Sequence, residues 1–328
     1  MKKTLAFVLA AVLGAASGPA PAFARGAVEE PAAPMTLQVA ALKGPTGLGM
    51  IRLFRDPPDL GAGVSAEITA LGSPEVLLPR LLTGEVDMAV LPTNLAANLY
   101  NRGAPYRLAA VVGNGVLYLV TTDPGRVSLE SFRGGVLQNV ARGSTPEFVL
   151  RHLLELKGLD REVELRFKYG IVELAQMIIA GRETSGVLPE PFATKVLLAA
   201  PRARIAVDIQ KEWAAGHPEL PTFPMSALVV KKSLLEGRPQ VVARFLREYR
   251  ESQEWVLREP RAAGELAEKL AFGIGAAEAG DAIPRCGLTV VPAGEARPSV
   301  EGFLSVFLKF APEAVGGKLP DDGFYAAP

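Results

Sequence analysis

The chain has 328 residues, 49% of them apolar, with 35 Lys and Arg balanced by 35 Asp and Glu. That balance leaves no polybasic footprint and argues against a nucleic-acid partner. A single cysteine rules out an intramolecular disulfide, so packing must hold the fold, and the length favours two lobes over one core.

The first segment reads "MKKTLAFVLAAVLGAASGPAPAFARG": two lysines, an apolar run, then Ala22-Phe23-Ala24. This is the pattern of a cleaved secretory signal, so residues 1–24 are expected to be removed after Ala24. The run is shorter than the ~20 residues of a comfortable membrane span. Cys286 is the only cysteine and lies far from the cleavage point, so no lipid anchor is expected there. Losing Lys2 and Lys3 leaves 33 basic against 35 acidic side chains, a net charge of about −2. The product is expected to be soluble and periplasmic, with residues 25–34 as a disordered leader.

From Met35 the pattern alternates. Strand-like runs "TLQVAAL", "VSAEITAL", "VDMAVL" and "YRLAAVV" are separated by helical patterns over 47–54, 74–83 and 94–101. Ser73 before Pro74 reads as an N-cap with proline at the first helical position, and Gly84 as a left-handed C-cap residue. The rhythm repeats with "GGVLQNV", helix 145–157, "VELRF", helix 171–180, "TSGVLP", helix 191–199 and "ARIAVDI". Such alternation predicts an α/β chain with two mainly parallel sheets flanked by helices.

Two β-branched stretches, "GVLYLVTTDPG" (115–125) and "PMSALVVKKS" (224–233), bracket this middle block and read as crossover strands. The middle block is then an insertion: 35–118 and 229–328 form lobe 1, and 119–228 form lobe 2. A ligand would sit between the lobes, where strand ends and helix starts converge. Beyond Ser233, "RPQVVARFLREYRESQEWVLREP" predicts a long amphipathic helix whose Val241, Phe245, Tyr249 and Val256 face the core.

Four segments carry a family resemblance: "LLTGEVDMAVLPTNLAANLY" (81–100), "GSTPEFVLRHLLELKGL" (143–159), "MIIAGRETSGVLPEPFATKV" (177–196) and the stretch 227–270. They resemble the periplasmic substrate-binding proteins of ABC importers, of the nitrate/sulfonate/taurine and thiamine-precursor type. The resemblance implies a type II periplasmic-binding fold with two lobes closing about a hinge. It also implies capture of a small solute and its delivery to an ABC permease with its ATPase, by a protein expected to be monomeric. The first loop, "KGPTGLGM" (43–50), departs from the polar, often aromatic loop of sulfonate or nitrate binders, which counts against those solutes.

Within that frame the strand ends supply the candidate ligand-binding residues. Gly44, Pro45, Thr46 and Gly47 lie between the first strand and its helix, where backbone N–H groups are left unpaired and glycine permits close approach. The spacing is neither a Walker loop nor G-x-G-x-x-G. Thr93 and Asn94 follow "VDMAVL", and Gly113 and Asn114 follow "YRLAAVV". Gly143, Ser144 and Thr145 precede Pro146; Ser144 with Glu147 fits a capping box, and Thr145 before Pro146 fits an N-cap equally well. Tyr169 could stack on a planar ligand. The resemblance implies that Glu190 and Phe192 are at the cleft; Glu190 reads equally as a helix-start charge favoured by the dipole or, facing the ligand, as a partner for an amine or N–H donor, and Arg142 as a solvated surface arginine or a partner for an anion.

Catalytic patterns are thin. His152 and His217 are the only histidines, and neither an H-E-x-x-H spacing nor a G-x-S-x-G elbow occurs. No metal, cofactor or enzymatic activity is expected. The rival readings are an enzyme on the same fold, resembling chorismate-processing lyases or pyrimidine synthases, and a ligand-sensing receptor domain.

Overall fold

The computed structural model describes residues 34–326; the expected signal peptide and, apart from Pro34, the expected leader lie outside them. The chain opens with β1 (Met35–Leu42), α1 (Pro45–Leu48), a 3-10 turn (Ile51–Phe54), β2 (Val64–Leu71), α2 (Pro74–Leu82), β3 (Met88–Pro92), α3 (Thr93–Asn101) and β4 (Tyr106–Gly113). The helix expected over 47–54 is broken in two. Gly47 and Gly49 weaken it, and Gly47 lies so close under β1 that a Cβ there would stand 2.3 Å from the Leu42 carbonyl oxygen. Gly84, at φ 74°, terminates α2 in the left-handed conformation expected.

The middle block contains β5 (Leu117–Thr121), β6 (Gly135–Gln138), α4 (Thr145–Leu156), β7 (Val163–Arg166), α5 (Ile171–Ile179), β8 (Ser185–Pro189), α6 (Phe192–Ala199), β9 (Arg204–Asp208) and α7 (Ile209–Gly216). Sequence reading missed α7 because the strand pattern runs to Ile209. Asp208 is in fact its N-cap, accepting hydrogen bonds from the Gln210 and Lys211 amides. The chain continues with β10 (Ser226–Lys231), α8 (Lys232–Gly237), α9 (Pro239–Arg258), α10 (Pro260–Lys269), α11 (Ala276–Ala282), β11 (Leu288–Pro292) and α12 (Ala293–Phe310). The predicted stripe of α9, Val241, Phe245, Tyr249 and Val256, is buried.

The large sheet has the order β11-β4-β10-β3-β1-β2. β1 pairs in parallel with β2 along its whole length, Met35 beside Val64 to Leu42 beside Leu71, and with β3. β10 runs antiparallel to both β3 and β4, and β11 antiparallel to β4. The second lobe holds an antiparallel sheet, β8-β5-β9, and a parallel pair, β6-β7. The sheets are therefore mixed, where the βα alternation predicted mainly parallel ones. The reason for the large sheet is the route of the chain. β10 enters between β3 and β4 at their C-terminal edge, with Ser226 opposite Pro92 and Gly113, so it can only run back against them. Of the two expected crossovers, β5 belongs to the small sheet and β10 to the interior of the large one.

A seam of aromatic side chains joins the layers. Phe307 of α12 packs edge-on against Phe148 of α4 with centroids 5.2 Å apart, and Phe303 meets Phe223 at 6.0 Å and Trp213 of α7 at 6.4 Å. All five rings are buried in one continuous hydrophobic cluster. Burial of that much aromatic surface fixes the two sheets to each other along this side.

Candidate functional site

A cavity of about 540 Å³ opens where the C-terminal ends of β1, β3 and β8 face the starts of α1 to α6. Its walls include Pro45 and Thr46 after β1, Pro74, Glu75 and Leu78 of α2, Asn94 and Leu95 of α3, and Asn114, Val116 and Leu117 on the passage into β5. The opposite wall is made by Ala141, Gly143, Ser144, Thr145 and Pro146 before and at the start of α4, Ile171 of α5, and Pro189, Glu190 and Phe192 at the β8–α6 turn. Pro92, Met225, Ser226 and Cys286 complete it.

Local chemistry sets each wall. Gly44 takes φ 86° and ψ −161°, a region essentially open only to glycine, and so turns the chain from β1 directly into α1. Ser144 is the N-cap residue of α4 and Pro146 lies in its first turn, but the Ser144 hydroxyl donates to the Ala141 carbonyl oxygen (2.6 Å) and does not cap the helix. The buried Glu147 reaches past the N-cap, its Oε2 accepting from the Gly143 amide (2.7 Å) and its Oε1 from Arg151 Nε (2.8 Å). Ala141, at φ 52°, is a strained non-glycine residue directly on the cavity wall.

Glu190 is only 1% exposed and its carboxylate is fully engaged by the protein. Oε1 accepts from Arg285 Nε at 2.6 Å; Oε2 accepts from the Thr194 amide (3.1 Å) and hydroxyl (2.8 Å). The Glu190–Pro191 peptide is cis. Tyr118 donates to the Arg285 carbonyl oxygen at 3.0 Å, and burial pushes its phenol pKa up. Burial likewise pushes up the Cys286 thiol. Glu75 is exposed at the rim, where the Ser73 hydroxyl holds its carboxyl below the ordinary value.

Nine of the fourteen sequence-derived candidates meet at this cavity: Pro45, Thr46, Asn94, Asn114, Gly143, Ser144, Thr145, Glu190 and Phe192. The other five do not line it. Gly44 makes the turn behind it, and Gly47 is buried against Leu42, so its close approach is to the chain's own backbone. Thr93 is fully buried, its amide donating to the Met225 carbonyl oxygen. Gly113 sits in the sheet opposite Ser226. Tyr169 donates to Glu183 at 2.9 Å and carries Lys168 over its ring. Arg142 is exposed and stacks on Phe167, outside the cavity. Of the two roles considered for Glu190, the geometry has that of a helix-start charge, its Oε2 accepting from the Thr194 amide and its Oε1 from Arg285. Sequence reasoning missed the start of α2, although Ser73-Pro74 ends a strand as the other turns do. It also missed Met225, Ser226 and Cys286, whose positions depend on the return strand and carry no local signal.

No protein-family model and no curated protein matches this sequence. Solved structures do. An ABC transporter structure from Parabacteroides distasonis superposes with a TM-score of 0.75 at 27% identity, over 88% of this chain and 98% of that one. The periplasmic aliphatic sulphonate binding protein of Escherichia coli gives 0.70 at 13% identity, over 88% and 93%. The periplasmic nitrate-binding protein of Synechocystis gives 0.57 at 13% identity, over 85% and 82%. Residues 34–326 thus have the two-lobed α/β fold found in the periplasmic binding proteins of ABC importers.

Proposed function

We propose that this protein is the solute-binding component of an ABC-type importer, capturing a small organic solute in the cavity between its lobes and delivering it to a membrane permease. The observation that carries this reading is the meeting of turns distant in sequence, at 45–46, 94, 114 and 143–145, around one cavity of about 540 Å³. That volume is within the range of small-molecule sites, and such sites gather at strand ends in α/β sheets. The fold shared with binding proteins of importers supports it. We further propose export to the periplasm with cleavage after Ala24, and action as a monomer.

The mechanism follows from differential affinity. An open cleft admits the solute; hydroxyls and amides from both walls then pair with it, and contacts made only in the closed form favour closure. The chain crosses between the sheets at 114–116 and 217–225, which are the segments able to absorb the backbone change. The permease reads the closed shape.

Titration calorimetry on wild type, Thr46→Ala and Ser144→Ala with a solute found by thermal-shift screening tests the site. Loss of a hydroxyl that bonds the solute costs about 1 kcal/mol, roughly fivefold in affinity. Unchanged affinity in both variants would remove the two residues from the site.

A further inference from the structure

The charges around the cavity identify the class of solute, given the binding role proposed above. Among the described residues, no lysine, arginine or histidine lines it. The cation beside it, Arg285, is already paired with the buried Glu190.

Helix starts ordinarily attract anions, but at α2, α4, α5 and α6 the chain supplies its own, leaving α1 and α3 without one. The start of α6 is occupied by Glu190, which accepts from the Thr194 amide. The start of α4 is served by Glu147, which takes the Gly143 amide. Glu75 and Glu173 stand in the first turns of α2 and α5. An oxyanion entering the cavity would meet the carboxylates of Glu75 and Glu190 and, among the described residues, no lining cationic side chain, and would lose its hydration without a counter-charge. The lining side chains that can hydrogen-bond and are uncharged are Thr46, Asn94, Asn114, Ser144, Thr145 and Ser226. Between them lie Leu78, Leu95, Leu117, Ile171 and Phe192.

We propose that the cavity selects a neutral, largely apolar or aromatic solute with an amide- or carbonyl-like polar end, and rejects small oxyanions such as sulfonates and nitrate. The amide and hydroxyl side chains bind the polar end, and the leucine, isoleucine and phenylalanine side chains hold the body.

Three probes of one skeleton test this: benzamide, benzenesulfonate and benzamidinium, with affinities measured by ligand-observed NMR on the protein from residue 25 onward. Two variants accompany wild type. Leu95→Trp pushes a bulkier ring into the apolar part of the cavity, and Ile171→Arg adds the missing cation at a half-buried position. The expected result is benzamide binding at least tenfold tighter than either charged probe, lost in Leu95→Trp. In Ile171→Arg, benzamide is expected to weaken by about fivefold while benzenesulfonate gains. Tighter binding of either charged probe, if abolished by Leu95→Trp, would overturn the inference and leave the cavity as the binding site. Binding of every probe that ignores Leu95→Trp, or binding of none, would overturn the cavity reading itself and this inference with it.

Discussion

Replacing Arg285 with methionine should be among the most damaging single changes available near the cavity. Glu190 is 1% exposed and Arg285 Nε lies 2.6 Å from its Oε1. Methionine keeps the aliphatic length of the side chain and removes the charge, so the buried carboxylate retains only the Thr194 amide and hydroxyl as donors. An exposed ion pair contributes about 0–1 kcal/mol, whereas orphaning a buried charge costs about 3–5 kcal/mol. The Arg285 side chain is 29% exposed, so water can partly replace it, and the lower end, about 3 kcal/mol, is expected. Urea unfolding followed by tryptophan fluorescence measures the loss. Adding Glu190→Gln to Arg285→Met should recover part of it, because the amide no longer needs a counter-charge. A loss below about 1 kcal/mol in Arg285→Met, the size of a surface pair, would refute the claim that the protein neutralises this carboxylate internally.

Two further perturbations probe the second lobe and the passage into it. His217 Nδ1 lies 3.0 Å from the Trp213 carbonyl oxygen and must carry its proton there, so His217 Nε2 accepts and His152 Nε2–H donates across 3.0 Å. Burial, then His217 and Lys309, hold the His152 imidazole below its ordinary value, with Glu155 opposing. The unfolded chain therefore binds more protons, and stability should fall as the pH drops below about 6.5; thermal melts should show this slope in wild type and a flatter one in His152→Gln. Gly115→Ala places a Cβ 2.1 Å from the fully buried Phe223 ring, and the displaced ring should cost about 1–3 kcal/mol in urea unfolding.

Local signals and chain routing were unequally legible. The βα units of the first half could be read because period-two strands, proline-led helix starts and glycine stops coincide, as at Ser73-Pro74 and Gly84. The candidate turns could be read because a strand end before a helix start has the same chemistry wherever it occurs. What could not be read is set by tertiary partners. The antiparallel entry of β10 depends on the path of a distant segment. The engagement of Glu190 depends on Arg285, 95 residues away, and the burial of Gly47 on the Leu42 carbonyl. Tyr169 has the composition of a stacking residue, but its hydroxyl is held by Glu183.

The aromatic seam limits how such a molecule can open. Phe303 and Phe307 of α12 pack on Phe148, Trp213 and Phe223, all within one buried cluster that spans the large sheet and the second lobe. An interface of that kind does not slide freely, so the closure proposed above would pivot on the seam while the cavity side parts. The same seam should make the two parts unfold together. Phe307→Ala deletes a ring with no measurable exposure, at a cost of about 3–5 kcal/mol, and loosens the coupling. Trp213 reports the second lobe and Trp255 of α9 the layer behind the large sheet, so single-tryptophan variants, Trp255→Phe and Trp213→Phe, separate the signals. In an otherwise wild-type background the two urea midpoints should coincide, and in Phe307→Ala the Trp213 midpoint should fall first. Midpoints already apart without Phe307→Ala, or still coincident with it, would show that the seam does not couple the two sheets.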